Sequence, residues 1–128
     1  MTQYNARFPF PVLFSPQRPK SVLAEVISQA GMKQFHCAET EKFPHVTYFF
    51  NGGWEKPFPG EDRDVIPSPE VATYDQFPEM SSPRVASRVI EAIESDEYSF
   101  ILVNFANGDM VGHTADLQAA IKAAVVGQ

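Results

Sequence analysis

Tyr98-Ser-Phe-Ile-Leu-Val-Asn-Phe105, running on into Ala106-Asn-Gly-Asp-Met-Val-Gly-His-Thr114, is the stretch that decides the fold. Its first half is nearly continuous in apolar residues, the pattern of a parallel strand covered on both faces, and predicts a central strand of an α/β sheet. The second half predicts a loop and then a helix. In open α/β sheets ligands gather where strands empty into such loops, because helix N-termini and loop side chains face one crevice there. Asp109 and His113, four residues apart, can converge on one metal ion from that position. Taken alone, the spacing leaves a plainer arrangement open: a carboxylate favoured by a helix N-terminus beside a surface imidazole.

Outward from this stretch, helix and strand alternate. Val22, Leu23, Val26, Ile27 and Ala30 fall at helical spacing between Pro19 and Ala30, with Ser21 near the start and Gly31 placed to end the helix. Lys33 to Ala38 alternates Phe35 and Cys37 against Gln34 and His36, which predicts a short strand. A second helix is expected from about Lys42 to Phe50, closed by Asn51-Gly-Gly53 and constrained by Pro44 to start near that residue. Ser82-Pro83 predicts another helix start, with Val85, Ala86, Val89, Ile90 and Ile93 as its buried stripe. A last helix is expected over Asp116 to Val126.

Between Gly53 and Glu79 stand Pro57, Pro59, Pro67, Pro69 and Pro78, a density that predicts an ordered excursion without long regular elements, anchored by Trp54, Phe58, Tyr74 and Phe77. Gly60-Glu-Asp-Arg-Asp64 within it lacks the alternating oxygen ligands of a calcium loop and reads as a salt-bridged turn. The sequence shows two or three strands in all. A sheet that small leaves much of the core to be supplied from elsewhere in a longer chain.

The 128 residues suffice for one ordinary domain, and 44% hydrophobic with 20% charged residues is a globular balance that excludes disorder. A net charge of -6 without acidic blocks argues against a duplex nucleic-acid partner, which needs a basic surface to displace counterions. Cys37 is the only cysteine, so neither an intramolecular disulfide nor a thiolate zinc cluster can form within one chain. No stretch has the length of a signal-peptide core or a membrane span, and a cytoplasmic protein with no membrane partner is expected. Both ends read as cut rather than finished, which predicts a fragment.

The wording of several segments, taken together, is specific. Cys37-Ala-Glu-Thr-Glu-Lys-Phe-Pro-His-Val-Thr-Tyr-Phe-Phe-Asn-Gly-Gly53, Pro59-Gly-Glu-Asp-Arg63, Pro67-Ser-Pro69, Ala72-Thr-Tyr-Asp75, Pro78-Glu-Met-Ser81 and Asp109-Met-Val-Gly-His113 occur in one order with no large gap. In these the chain resembles the cofactor-independent phosphoglycerate mutases of the alkaline phosphatase superfamily, from about Pro11 onward. The resemblance implies that residues 1–128 form part of the phosphatase-like metal domain of a longer mutase. That domain has a mostly parallel sheet flanked by helices, incomplete in this chain.

In that family a serine nucleophile carries the phosphoryl group between the two hydroxyls of a phosphoglycerate, assisted by two manganese ions. Ions of this kind lower a hydroxyl pKa and neutralise the transferring oxygens. The resemblance implies that Asp109 and His113 coordinate one manganese, a carboxylate and imidazole set that suits the ion. It implies that Lys42, from the motif Ala38-Glu-Thr-Glu-Lys42, meets the phosphoryl group as a compact point charge. Without the resemblance Lys42 reads as a surface lysine paired to Glu39 or Glu41, two residues taken here as supporting groups. Gly112 either permits a close turn between Asp109 and His113 or is an ordinary helix-start glycine.

The chain departs from the family wording at Gly108, where proline is usual, and at Ala115, where glycine is usual; neither change removes a donor atom. His36 and Cys37 are adjacent on a strand and so point to opposite faces, which rules out joining them with Lys42 and His45 in a cluster. Arg63, Arg84 and Arg88 could clamp a phosphate, but their spacing does not raise them above surface arginines.

The serine nucleophile, the Asp-His-Gly motif, the further histidine ligand and the second-domain arginines have no counterparts among the 128 residues. No catalytic nucleophile is therefore expected here, and the piece by itself is expected to be inactive. Its parent is expected to act as a monomeric enzyme on a small phosphoglycerate. A shortened non-catalytic binding module and a phosphatase or phosphopentomutase of the same superfamily are the alternatives the sequence leaves.

Overall fold

The computed structural model describes residues 9–15, 17 and 19–126. Its centre is a three-stranded parallel sheet in the order β2-β1-β3, formed by β1 (Gln34–Glu39), β2 (Glu61–Ile66) and β3 (Phe100–Asn104). Gln34 aligns with Glu61 on one side and with Phe100 on the other, and the register runs on to Ile66 and Asn104. The fold is α/β as expected. The central strand, however, is β1, whose six residues are all buried, while β3 lies at an edge with all five residues half-buried. Apolar continuity identified β3 as a strand but not its rank, because the enclosed positions of β1 include polar residues that find partners inside.

Helices cover both faces. Phe35 and Cys37 turn toward α2 (Ser82–Glu94), forming a core with Ile66, Val85 and Ala92 and with the partly buried Val89, Tyr98, Ile101 and Val103. The opposite face meets α1 (Leu23–Gln29), whose Ala24 carbonyl accepts a bond from Gln34 Nε2 at 2.8 Å. The α1 helix ends as a Schellman motif. Gly31, at φ +71°, donates to Ser28, and Met32 donates to Ile27. The N-cap of α1 is Val22, without a side-chain cap, so Ser21 does not fill that role.

Other expectations are corrected. The helix expected over Lys42 to Phe50 is a single 3-10 turn, Thr40–Lys42, followed by a π-helical turn, His45–Phe49. Pro44 is its N-cap, and proline there cannot sustain an α ladder from Lys42. The excursion contains β2, and its segment Gly60 to Asp64 is strand rather than turn, although the expected salt bridge exists between Glu61 and Arg63. Charged residues concealed β2 because the enclosed carboxylate of Glu61 is satisfied internally. Gly60 (φ +79°) starts this strand with its carbonyl accepting from Gln34, and a Cβ there would lie 3.0 Å from the Met32 carbonyl.

The α2 stripe is also rotated from expectation. Val85 and Ala92 are buried, whereas Ile90 and Ile93 are exposed, and its N-cap is Ser81 rather than Ser82. A second core joins α3 (Asn107–Gly112) and α4 (Leu117–Val126) through Met80, Ala106, Val111, Ala119 and Ala123, against which Tyr74 and Met110 pack. Asp116 Oδ1 accepts from the Ala119 amide at 2.8 Å and caps α4. Leu117, Ile121 and Val125 remain exposed along one stripe of that helix. Among the described residues no helix is long and apolar enough to cross a membrane.

Candidate metal and phosphate site

Because all three strands are parallel, their carboxyl ends open on one edge of the sheet. From β1 the chain passes into the 3-10 turn carrying Lys42, and from β3 it passes through Phe105 and Ala106 into α3 carrying Asp109. Lys42 Nζ donates to Asp109 Oδ2 in a short ion pair, and His113 Nε2 lies 3.4 Å from Asp109 Oδ1. The three residues singled out from the sequence therefore meet at one carboxylate. The α3 helix sets the second contact, since positions four apart share one helical face, and the His113 amide donates to the Asp109 carbonyl at 3.1 Å.

The groups differ in enclosure. The Lys42 side chain is 13% exposed, Asp109 52% and His113 76%. Lys42 holds the Asp109 carboxyl below the usual carboxylate range, first by its hydrogen bond and then by its charge, with smaller contributions from His113 and His45. An ionised Asp109 is the form a cation requires. Two donors each about 2.0–2.1 Å from a shared ion stand roughly 3 to 3.4 Å apart, so the 3.4 Å between carboxylate and imidazole fits joint ligation. Among the described residues no three His, Cys, Asp or Glu side chains converge as a metal set.

Behind Lys42 stand the two glutamates of its motif. Glu41 accepts a 2.8 Å hydrogen bond from the Tyr74 hydroxyl. Glu39 is fully enclosed; burial pushes its pKa up, opposed by the Ser81 amide and the Ser68 and Ser81 hydroxyls. The sequence marks Tyr74 only as one of the aromatic anchors of the proline-rich excursion. Packed on the second core and bonded to Glu41, it connects the Lys42 turn to the body that carries Asp109. Its ring also lines an open cleft of about 530 Å³ with Thr73, Asp75, His113, Thr114 and Asp116. Only the tertiary structure reveals that tether, since a tyrosine in a proline-rich loop carries no spacing signal.

Other candidates fall away from this edge. Arg63 is engaged by Glu61 at 2.6 Å, and Arg88 by Asp64 at 2.6 Å and by Glu91. Arg84 lines a separate cleft with Pro67, Phe77 and Ser81. Gly112 has helical surroundings in which a Cβ would meet open space, so no close turn depends on it. Ala115, by contrast, sits at φ +62°, in the left-handed region. That explains physically why a glycine would suit the position.

The sequence profile of a family described as the metalloenzyme superfamily matches residues 7–125. The chain is 63% identical over 123 residues to a 2,3-bisphosphoglycerate-independent phosphoglycerate mutase of Chloroflexus aggregans, covering 96% of this chain and 23% of that protein. It is 61% identical to the protein of the same description from Moorella thermoacetica, covering 96% of this chain and 24% of that one. A solved structure of Leishmania mexicana phosphoglycerate mutase, obtained at low cobalt concentration, superposes with a TM-score of 0.83 at 38% identity, over 93% of this chain and 22% of that one. The chain thus spans about a quarter of the length of these relatives, and the resemblance read from its motifs is borne out.

Proposed function

This chain belongs to the metalloenzyme superfamily, and on that basis we propose that it is part of a phosphoglycerate mutase interconverting 2-phosphoglycerate and 3-phosphoglycerate through a phosphoserine. In this reading Asp109 and His113 hold one of two manganese ions, and Lys42 meets an oxygen of the phosphoryl group. Bound there, a divalent ion would lower the pKa of a coordinated hydroxyl and offset charge on the transferring oxygens.

The observation that supports the reading best is the convergence of the Lys42 ammonium and the His113 imidazole on the two oxygens of Asp109. Asp109 stays ionised because Lys42 opposes its protonation. The single-turn placement of Lys42 at the strand end leaves its ammonium free to exchange a carboxylate oxygen for a phosphate oxygen. The exposed apolar residues of α2 and α4, Ile90, Ile93, Leu117, Ile121 and Val125, fit burial against the remainder of a longer protein. A cytoplasmic, glycolytic role and a monomeric parent belong to the same proposal.

These 128 residues hold two donors for one ion and no counterpart of the nucleophile, so they are proposed to be inactive alone. Manganese titration of the chain, followed by the loss of the free-ion paramagnetic signal, tests the site. Weak binding abolished by Asp109→Asn and by His113→Ala is expected. Binding unchanged in both variants would remove the metal assignment, and conversion of 3-phosphoglycerate by the chain alone would overturn its proposed inactivity.

A further inference from the structure

At the middle of β1, away from the site, His36 is completely enclosed and serves no part of the proposed chemistry. Its Nδ1 lies 2.7 Å from the Val46 carbonyl oxygen and 3.5 Å from Glu61 Oε1. Its Nε2 lies 3.0 Å from Gln34 Oε1. The orientation of the Gln34 amide is fixed from its other end, because Gln34 Nε2 donates to the Ala24 carbonyl at 2.8 Å. The amide oxygen must therefore be the atom facing His36.

Both ring nitrogens consequently meet oxygens that can only accept. A neutral imidazole carries one N–H and one bare lone pair, so either tautomer would press that lone pair against an oxygen, at 2.7 Å or at 3.0 Å. Only the doubly protonated ring satisfies both contacts. A counter-charge stands beside it. Glu61 is enclosed and accepts from Asn51 Nδ2 at 2.9 and 3.1 Å, from the Phe58 amide at 2.9 Å and from Arg63 Nε at 2.6 Å, a set of donors suited to an ionised carboxylate.

We propose that His36 is an imidazolium in the folded chain at neutral pH, paired with Glu61 as a charged lock between β1, β2 and the π-helical turn that follows Lys42. Among the described residues the charged groups facing it come from β2, Glu61 and Arg63. The π turn presents the Val46 carbonyl, with the Phe50 ring edge-on at 5.4 Å just beyond it, and β3 presents the Phe100 ring at 6.3 Å. Burial pushes the imidazole toward its neutral form, while Glu61 and the Val46 carbonyl favour the charged one and Arg63 opposes it. The donor requirement at both nitrogens decides in favour of the charged ring, because the neutral ring avoids the desolvation cost of the charge but leaves an oxygen facing a lone pair.

The lock is four residues from Lys42 through Val46, and β2 runs on from it into Pro67-Ser68, where the Ser68 amide meets Thr40 Oγ1 at 3.3 Å. Loss of the proton would thus loosen both segments that frame the Lys42 turn. A folded-state pKa above the unfolded value of about 6.5 gives stability that is complete below that value. It is lost as pH rises through the folded pKa, by roughly tenfold in the folding equilibrium per pH unit.

Long-range proton–nitrogen NMR of the ¹⁵N-histidine-labelled chain tests this directly, and it needs neither metal nor substrate, so its outcome is independent of the proposed enzymatic role. At pH 7 both His36 ring nitrogens are expected to show protonated signals, with one titration step at higher pH. One bare ring nitrogen at pH 7 would overturn the proposal. Urea unfolding gives the second measurement: the wild type is expected to lose stability between pH 7 and 9 relative to His36→Arg, which keeps the charge. Parallel pH profiles for those two proteins would also overturn it.

Discussion

Lys42 and Asp109, 67 residues apart in sequence, are joined by an ion pair that bridges the ends of two neighbouring parallel strands. The pair gathers β1 and β3 at their carboxyl edge and keeps the carboxylate ionised beside His113. Asp109 is half exposed, so the pair contributes charge placement more than stability, and salt weakens it.

Lys42→Met should therefore raise the Asp109 carboxyl pKa toward the ordinary value near 3.9 without unfolding the chain. The sign follows from the depressed carboxyl. Its stabilising effect is present above the unfolded pKa and is lost as pH falls through the folded one, so the variant should differ from wild type mainly above about pH 4. Carboxyl-carbon NMR across pH 2 to 6 reads the shift directly; an unchanged Asp109 midpoint would show that the ammonium does not govern it.

Tyr74→Phe keeps the ring against Met80 and Val111 but removes the hydroxyl that holds Glu41 at 2.8 Å. No residue of the Lys42 turn is fully buried, so its anchorage rests on polar contacts: this bond, the Ser68–Thr40 bond and the Lys42–Asp109 ion pair. The lost bond should cost about 0.5–1.5 kcal/mol at most. Amide hydrogen exchange should quicken in residues 40–42 while the cores around Val85 and Ala119 keep their protection. Uniform loss of protection would instead assign Tyr74 to global packing.

The sequence made the meeting of Lys42, Asp109 and His113 more legible than the sheet. Asp109 and His113 were readable because helical spacing fixes their relation locally, and Lys42 because its motif has distinctive wording. Strand rank was not readable, since Phe100 to Asn104 carries the apolar signal while the enclosed β1 contains Gln34, His36 and Glu39. Likewise β2 was hidden because Glu61 and Arg63 satisfy each other across two positions of one strand. Local periodicity reports exposure to water, and these residues escape water by pairing that depends on distant chain segments.

Ala115 offers a stability test of the departure noted in the wording of its motif. At φ +62° its Cβ crowds the backbone, a conformation that costs non-glycine residues roughly 1–2 kcal/mol. Ala115→Gly removes that crowding and adds some unfolded-state entropy, for a net gain of about 0.5–1 kcal/mol. Urea unfolding followed by circular dichroism should show a higher midpoint with an unchanged slope. A lower midpoint would mean that the methyl group makes contacts outweighing the backbone strain.

Cys37 supplies the last test, because it lies on the enclosed face of β1 against Ile66 and Val85. Burial, and next the Asp64 charge, push its thiol pKa up to about 11, against a smaller opposing effect of Arg88. The thiolate is the reactive form, so the folded chain should resist an aromatic disulfide reagent at pH 8 and react promptly once urea exposes it. The reaction rate in the absence of denaturant then measures opening of the β1–α2 core. Val85→Ala, which truncates a fully buried neighbour, should destabilise the chain by roughly 1–3 kcal/mol and accelerate that reaction in proportion. Rapid modification of the wild-type chain, equal to that of the unfolded chain, would contradict the enclosed position of this side chain.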